Sequence, residues 1–148
     1  MTTRILIMGL PGAGKTTLAT EISECLRLIG RTVDWYNADI IRTQYNDWDF
    51  SAEGRIRQSQ RMRDLAVAST ADFVICDFVA ALPEQRTEFA ADYVIWVHTE
   101  DEGRFADTNQ AFVAPTRYNF YVDTKDAPRW SSDIVKHLLL LEKHERKV

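Results

Sequence analysis

The chain has 148 residues, 22 acidic and 18 basic, with a formal net charge of −4. That length suits one domain with a real core and is short for two, and a hydrophobic share of 45% excludes a disordered chain. The acidic balance argues against a general nucleic-acid coat protein, although a local basic patch could still grip a phosphate or a DNA end.

In chain order the pattern is strand, glycine turn, helix and strand again. The opening "MTTRILIMG" holds a short apolar run without a cleavage pattern and leads straight into glycines, so residues 4–8 read as a first strand and not a signal peptide. Leu18, Ile22, Leu26 and Ile29 recur at helical spacing from Lys15 on, and Gly30 stops that helix. Residues 32–36 read as a second strand. A helix follows over 52–69, with Ser51 as its cap. "FVICD", 73–77, is apolar on both faces, as a central parallel strand requires.

Residues 83–89 read as a short helix, 93–97 and 118–122 as strands. A tail helix starts near Pro128 and is expected to bury Trp130, Ile134, Leu138 and Leu141. Residues 99–116 show no clear period and are expected to form a lid, partly helical around 101–110. The fold class is α/β: three layers, a mostly parallel sheet flanked by helices, with right-handed crossovers. The two cysteines, Cys25 and Cys76, fall in a helical and an apolar strand pattern. They read as small buried hydrophobes of a reducing compartment, neither metal ligands nor a disulfide. No apolar stretch approaches membrane-spanning length, and the cytoplasm is the expected location.

"GLPGAGKT", Gly9 to Thr16, fits the G-x-x-x-x-G-K-[ST] pattern and lies between a strand and a helix, the context that pattern needs. Gly9, Gly12 and Gly14, with Pro11 and Ala13 between them, let the backbone curl so that successive N–H groups face a phosphate. The helix N-terminus adds unpaired amides and its dipole. Lys15 would reach the β and γ phosphates of ATP, the Thr16 hydroxyl would help hold Mg²⁺, and Thr17 would play a less direct part. Asp77, ending the buried strand, either holds the Mg²⁺ hydration shell or caps the following turn.

The acceptor side rests on Asp39, which follows the second strand where ligands of this fold class bind. A carboxylate there can orient or deprotonate an acceptor hydroxyl. Arg42, one helical turn on, either meets an anionic acceptor or pairs with Asp39. On the 52–69 helix, Arg55 and Gln58 share the face of Met62, Leu65 and Ala66, which makes them candidates for substrate contact. Arg57, Arg61 and Asp64 point the other way, and Arg57 and Arg63 read as solvated face. Trp48 and Phe50 either stack on a planar base or seal the helix start. Arg104 is the candidate cation closing over the transferring phosphoryl group, with Arg117 behind it, and Arg86 is expected to reach the acceptor pocket. His98, at a strand end without an assigned acidic partner, reads as structural, as do His137 and His144 of the tail helix.

"GLPGAGKTTLA", "NADIIR" and "WDFSAEGRIRQSQR" together resemble the adenylylsulfate kinases over the first two thirds of the chain. The resemblance implies a phosphate loop for ATP, an acidic–basic pair in Asp39 and Arg42, an aromatic clamp in Phe50, and a substrate-contacting pair in Arg55 and Gln58. The family usually has asparagine at this last position. Further on, a Phe-Ile-Ser-Pro stretch of the family is replaced by "FVAA", 78–81, with Ala80 for the serine and Ala81 for the proline. "DEGRFADTNQAF" stands in place of its lysine-rich lid.

These departures fall on the acceptor side and spare the ATP side. The leading reading is an ATP-dependent kinase acting on a hydroxyl of a nucleotide-like acceptor, with adenylylsulfate first. The Asp-x-x-Arg pair also resembles polynucleotide 5'-hydroxyl kinases and small phage kinases of 5-hydroxymethyluracil in DNA, which keeps DNA as an alternative acceptor. A nucleotide-binding switch or ATPase without an acceptor is a second alternative. No membrane partner is expected, and a homodimer is compatible with the sequence.

Overall fold

The structure, a computed structural model, describes residues 1–103 and 105–146. Its elements are β1 (Thr3–Met8), α1 (Lys15–Leu28), β2 (Val33–Asn37), α2 (Ala38–Tyr45), α3 (Ala52–Ala68), β3 (Phe73–Asp77), α4 (Pro83–Phe89), β4 (Tyr93–Val97), α5 (Ala106–Ala111), β5 (Phe120–Val122) and α6 (Ala127–Arg146). The five strands form one parallel sheet in the order β2-β3-β1-β4-β5. The chain leaves β1 toward one side of the sheet and later crosses to the other. A crevice therefore opens above the carboxyl ends of β1 and β3, where ligands of open α/β sheets bind.

Alternation along β1 separates two cores. Ile5 and Ile7 join Leu18, Ile22 and Leu26 of α1 and Ile134 and Leu138 of α6 on one face. Leu6 and Met8 join Ile41, Met62, Ala66 and Phe89 on the other. With both faces covered, all five residues of β3 are buried, which explains its unbroken apolar run. Each fully buried Leu, Ile or Met contributes about 1.5–3 kcal/mol.

Some expectations are adjusted. α1 ends at Leu28, and Gly30, at φ 86°, turns the chain so that the Arg31 N–H reaches the Leu26 carbonyl at 3.0 Å. β5 is shorter than the expected 118–122, because Asn119 occupies both backbone groups of Val94. Its own N–H donates to the carbonyl, and its side-chain Oδ1 accepts from the N–H. Leu141 was expected to be buried and is exposed. At that point α6 is level with the residues beyond α1, and Glu142 is held by both terminal nitrogens of Arg31, at 3.0 and 2.7 Å. The expected partial helix within 101–110 is α5, shifted to Ala106–Ala111. No helix among the described residues is long and apolar enough to cross a membrane.

Candidate active site

The loop between β1 and α1 is built on close approach and an open helix end. A Cβ on Gly9 would stand 2.3 Å from the Val97 carbonyl oxygen, so only glycine lets the loop leave β1 against β4. Gly14, at φ 101°, starts α1 in the left-handed region with no side-chain cap and no acidic residue in the first turn. The first amides of α1 are thus left for an anion, and the helix dipole has the matching sign. Lys15 is nearly buried and donates from Nζ to the Leu10 carbonyl at 3.0 Å, lying across the loop it serves.

Beside the loop, the ends of β2 and β3 bring three polar groups together. Asn37 donates from Nδ2 to the Thr16 hydroxyl at 3.1 Å and to Asp77 Oδ1 at 3.0 Å. Thr16 donates to the same carboxylate oxygen at 3.5 Å, and Trp35 donates from Nε1 to Asp77 Oδ2 at 2.7 Å. Burial raises the Asp77 carboxyl above the usual aspartate value, against the Trp35 hydrogen bond and the Lys15 charge. Asp77 is therefore more than a turn cap, since its oxygens tie β2 and the start of α1 to β3. Among the described residues no group of three or more His, Cys, Asp or Glu could cage a metal. The donor set of one hydroxyl backed by one carboxylate suits Mg²⁺ held largely by phosphate oxygens and water.

Asn37 and Trp35 were not singled out from the sequence. Asn37 carried a readable signal, an Asn before a helical stretch, and it does cap α2 by accepting from the Ile40 N–H at 3.2 Å. Its second role depends on register: Asn37 pairs with Asp77 in the sheet.

Across the crevice a cavity of about 740 Å³ is lined by Lys15, Thr16, Asp39, Arg42, Phe50, Arg55, Gln58 and Asp77, together with Pro11, Gly12, Gly14 and Thr17. Asp39 is exposed to it, and its carboxylate makes no hydrogen bond or ion pair among the described residues. Arg42 does not pair with Asp39. Its Nη1 donates to the carbonyls of Asp47 and Asp49 at 3.0 and 3.2 Å, and its guanidinium lies 4.4 Å from the centre of the Phe50 ring.

Arg55 is buried, as its helix face predicted. It donates from Nε to the Phe50 carbonyl at 2.8 Å and from Nη2 to the Thr108 hydroxyl at 3.2 Å. Burial lowers the pKa of both arginines below the usual guanidinium value. Gln58, also buried, donates to the Ala38 carbonyl at 3.1 Å and so joins α3 to α2. Gln85, Phe105, Asp107 and Thr108 also line the cavity. The last three belong to the segment 99–116 expected as a lid, but no spacing singled out these side chains, because each reaches the cavity only through the packing of α4 and of the segment around α5.

Gly9 and Ala13 shape the loop without lining the cavity; the Ala13 carbonyl accepts from the Thr99 hydroxyl at 2.7 Å. Several other expectations are corrected. Arg86 is not among the lining residues. It donates to the carbonyls of Ala80, at 2.9 Å, of Ala81, at 3.2 Å, and of Val113, bracing the cavity wall from behind. Arg57, expected as solvated face, holds Asp47 at 2.8 Å, and Arg61, which points outward, holds the same carboxylate at 2.6 Å. Arg63 pairs with Glu88 at 3.4 Å on the surface. His98 does have an acidic partner, Asp101 at 3.0 Å, and a second in the Tyr121 hydroxyl at 2.8 Å, yet it does not line the cavity. Arg104 lies outside the described residues.

A family model described as adenylylsulphate kinase matches residues 1–100. The chain belongs to the adenylylsulphate kinase family. A curated relative, a probable adenylyl-sulfate kinase of Aeropyrum pernix, is 34% identical over 85 residues. That match covers 55% of this chain and 46% of the relative, so it spans less than half of the relative's length. The APS kinase CysC of Mycobacterium tuberculosis, in complex with AMPPNP and APS, superposes with a TM-score of 0.81 at 16% identity, over 93% of this chain and 97% of that one. A hexameric APS kinase from Thiobacillus denitrificans gives 0.71 at 23% identity, over 98% of this chain and 29% of that one. A shikimate kinase from Acinetobacter baumannii, in complex with shikimate, gives 0.61 at 19%, over 94% of each chain. At these identities the likeness shows that the family member has the P-loop kinase fold.

Proposed function

We propose that this member of the adenylylsulphate kinase family is an ATP-dependent kinase that transfers the γ-phosphoryl group to the 3'-hydroxyl of adenylylsulfate. The observation that carries the reading is the pair of buried guanidinium groups, Arg42 and Arg55, beside the Phe50 ring. Neither is bonded to a carboxylate among the described residues, and both face the cavity that the phosphate loop shares. The nearby carboxylates of Asp47 and Asp39, for Arg42, and of Asp107, for Arg55, offset the burial of these cations only in part, and an anionic ligand with a planar base would stabilise them further through charge and stacking.

In this reading the loop amides of Gly12 and Gly14 and the Lys15 ammonium bind the phosphates of ATP. Thr16, with Asp77 behind it, holds Mg²⁺, which would neutralise charge on the phosphate oxygens. Asp39, whose carboxylate makes no hydrogen bond or ion pair among the described residues, orients the acceptor hydroxyl and takes its proton as that oxygen bonds to the γ phosphorus and the bond from the γ phosphorus to the β–γ bridging oxygen breaks, releasing ADP. Arg42, Phe50, Arg55 and Gln58 hold the acceptor. Residues 99–116 act as a lid, and Arg104 would supply its cation.

A DNA acceptor finds no support in the arginine cluster on α3. Arg55 faces inward, Arg57 and Arg61 are neutralised by Asp47 and Asp49 together, and Arg63 is paired with Glu88. The deciding experiment offers ATP labelled in its γ-phosphate, with Mg²⁺, to adenylylsulfate, 5'-hydroxyl DNA and hydroxymethyluracil DNA in parallel. Label in adenylylsulfate alone is expected. Label in either DNA would replace the proposal, and release of free phosphate without an acceptor product would reduce the protein to an ATPase.

A further inference from the structure

The aromatic wall of the cavity belongs to a loop with no regular structure of its own. Residues 46–50 connect α2 to α3 and carry Trp48 and Phe50, whose rings lie 6.4 Å apart; both line the cavity. Inside the cavity Arg42 and Arg55 hold the loop by its carbonyls; outside it the loop is held by carboxylates, Asp49 accepting from Arg57 Nη2 at 3.1 Å and Asp47 more extensively. The Asp47 carboxylate does not line the cavity, yet accepts from Arg57 Nε at 2.8 Å, Arg57 Nη2 at 3.1 Å and Arg61 Nη2 at 2.6 Å. The side chains of Asp47 and Arg61 are only 13% and 16% exposed, so this pair is shielded more than an ordinary surface bridge. On the opposite side the Asp47 carbonyl accepts from Arg42. One residue thus joins α3 through its side chain to a cavity arginine through its backbone.

We propose that Asp47 is a positioning residue for the acceptor: its ion pairs with Arg57 and Arg61 hold residues 46–50 so that the Phe50 ring stays beside the guanidinium groups of Arg42 and Arg55. The acceptor part of this inference rests on the kinase reading above; the loop part does not. Asp47→Asn keeps the shape and removes the charge. The ring and the backbone carbonyls that orient Arg42 then lose the anchor that Asp47 supplies and keep only the weaker hold of Asp49 on Arg57, while the phosphate loop, on other elements, is untouched. A shift of about an ångström in a substrate-holding group is enough to change binding by an order of magnitude or more.

Two measurements test it on the intact chain. With adenylylsulfate as acceptor, Asp47→Asn should raise the acceptor KM about tenfold and leave kcat and the ATP KM within about twofold. Arg57→Gln should move the same constant in the same direction, and the double variant should fall short of the sum of the two single effects, because the two side chains share an ion pair while Arg57 also holds Asp49. In amide hydrogen exchange of the ligand-free protein, the variant should lose protection in 46–50 and keep it in β1 and β3. Unchanged protection in 46–50, or loss spread over the whole sheet, would overturn the proposal. So would a fall in kcat with an unchanged acceptor KM. Should the wild type not phosphorylate adenylylsulfate, the kinase reading fails on that result, and the exchange pattern still decides the role of Asp47.

Discussion

Arg55 of α3 donates from Nη2 to the hydroxyl of Thr108 in α5, a buried contact at 3.2 Å between residues 53 positions apart. It is a direct bond between the proposed acceptor site and the segment expected to cover it. Thr108→Val keeps the volume and removes the acceptor of that bond, leaving a charged donor short of a partner at a cost of about 1–3 kcal/mol. The acceptor KM should rise roughly tenfold or more, and Thr108→Ser should restore it. Steady-state kinetics of both variants at fixed ATP check this.

Asp39 and Lys15 face the same cavity with different tasks, and their variants should separate. Asp39→Asn should lower kcat by about 10²–10⁴ with ATP binding intact, since only proton removal from the acceptor is lost. Lys15→Ala should abolish turnover and weaken ATP binding, while far-ultraviolet circular dichroism stays unchanged. Titration calorimetry with ADP and Mg²⁺ distinguishes the two.

The buried Asp77 carboxyl takes up a proton at a higher pH than an ordinary aspartate, whose value is 3.8. A raised folded-state value means that the ionised form, the one that would serve Mg²⁺, is lost earlier as pH falls. The affinity for ADP with Mg²⁺ should therefore begin to drop at a higher pH than the titration of an ordinary aspartate would give, and Asp77→Asn should flatten that limb. Asp47 has the opposite sign. Its hydrogen bonds from Arg57 and Arg61 hold it well below the usual value, so its contribution is complete at neutral pH and disappears only as pH falls through that depressed value. Amide exchange in 46–50, corrected for intrinsic rates, should stay protected down to about pH 5.

Gly54 offers a contest between helix propensity and space. Glycine-to-alanine in a helix interior ordinarily stabilises by up to about 1 kcal/mol. Here a Cβ would stand 2.2 Å from the Asp49 carbonyl oxygen, a backbone atom that can give way only if the loop shifts. Gly54→Ala should lower the melting temperature and raise the acceptor KM, because the displaced Asp49 carbonyl is one that Arg42 grips. A calorimetric scan showing stabilisation would mean that the loop yields freely.

Much of this arrangement was legible in the residues. The phosphate loop, the Leu18–Ile22–Leu26 stripe, the unbroken β3 and the inward face of Arg55 all follow from spacing, because each is settled within one element. Asn37 and Thr108 were not legible, since their partners Asp77 and Arg55 are distant in sequence and meet through sheet register or helix packing. The outward arginines of α3 were misjudged for a related reason. Helical phase says where Arg57 and Arg61 leave the helix, but not that Asp47 folds back to meet them. Arg86 was placed on the correct helix and assigned the wrong task, because its partners are main-chain oxygens that no side-chain pattern announces.

Two of those oxygens, of Ala80 and Ala81, belong to a bend with a cost of its own. Ala80, buried in the cavity wall, sits at φ 49°, a conformation that an alanine adopts against a penalty of about 1–2 kcal/mol. The Arg86 fork keeps it there. The contour met by an incoming molecule is thus set partly by a spring-loaded hinge whose catch is out of that molecule's reach. Drift at position 86 could remodel what the protein accepts while every group in the chamber stays the same.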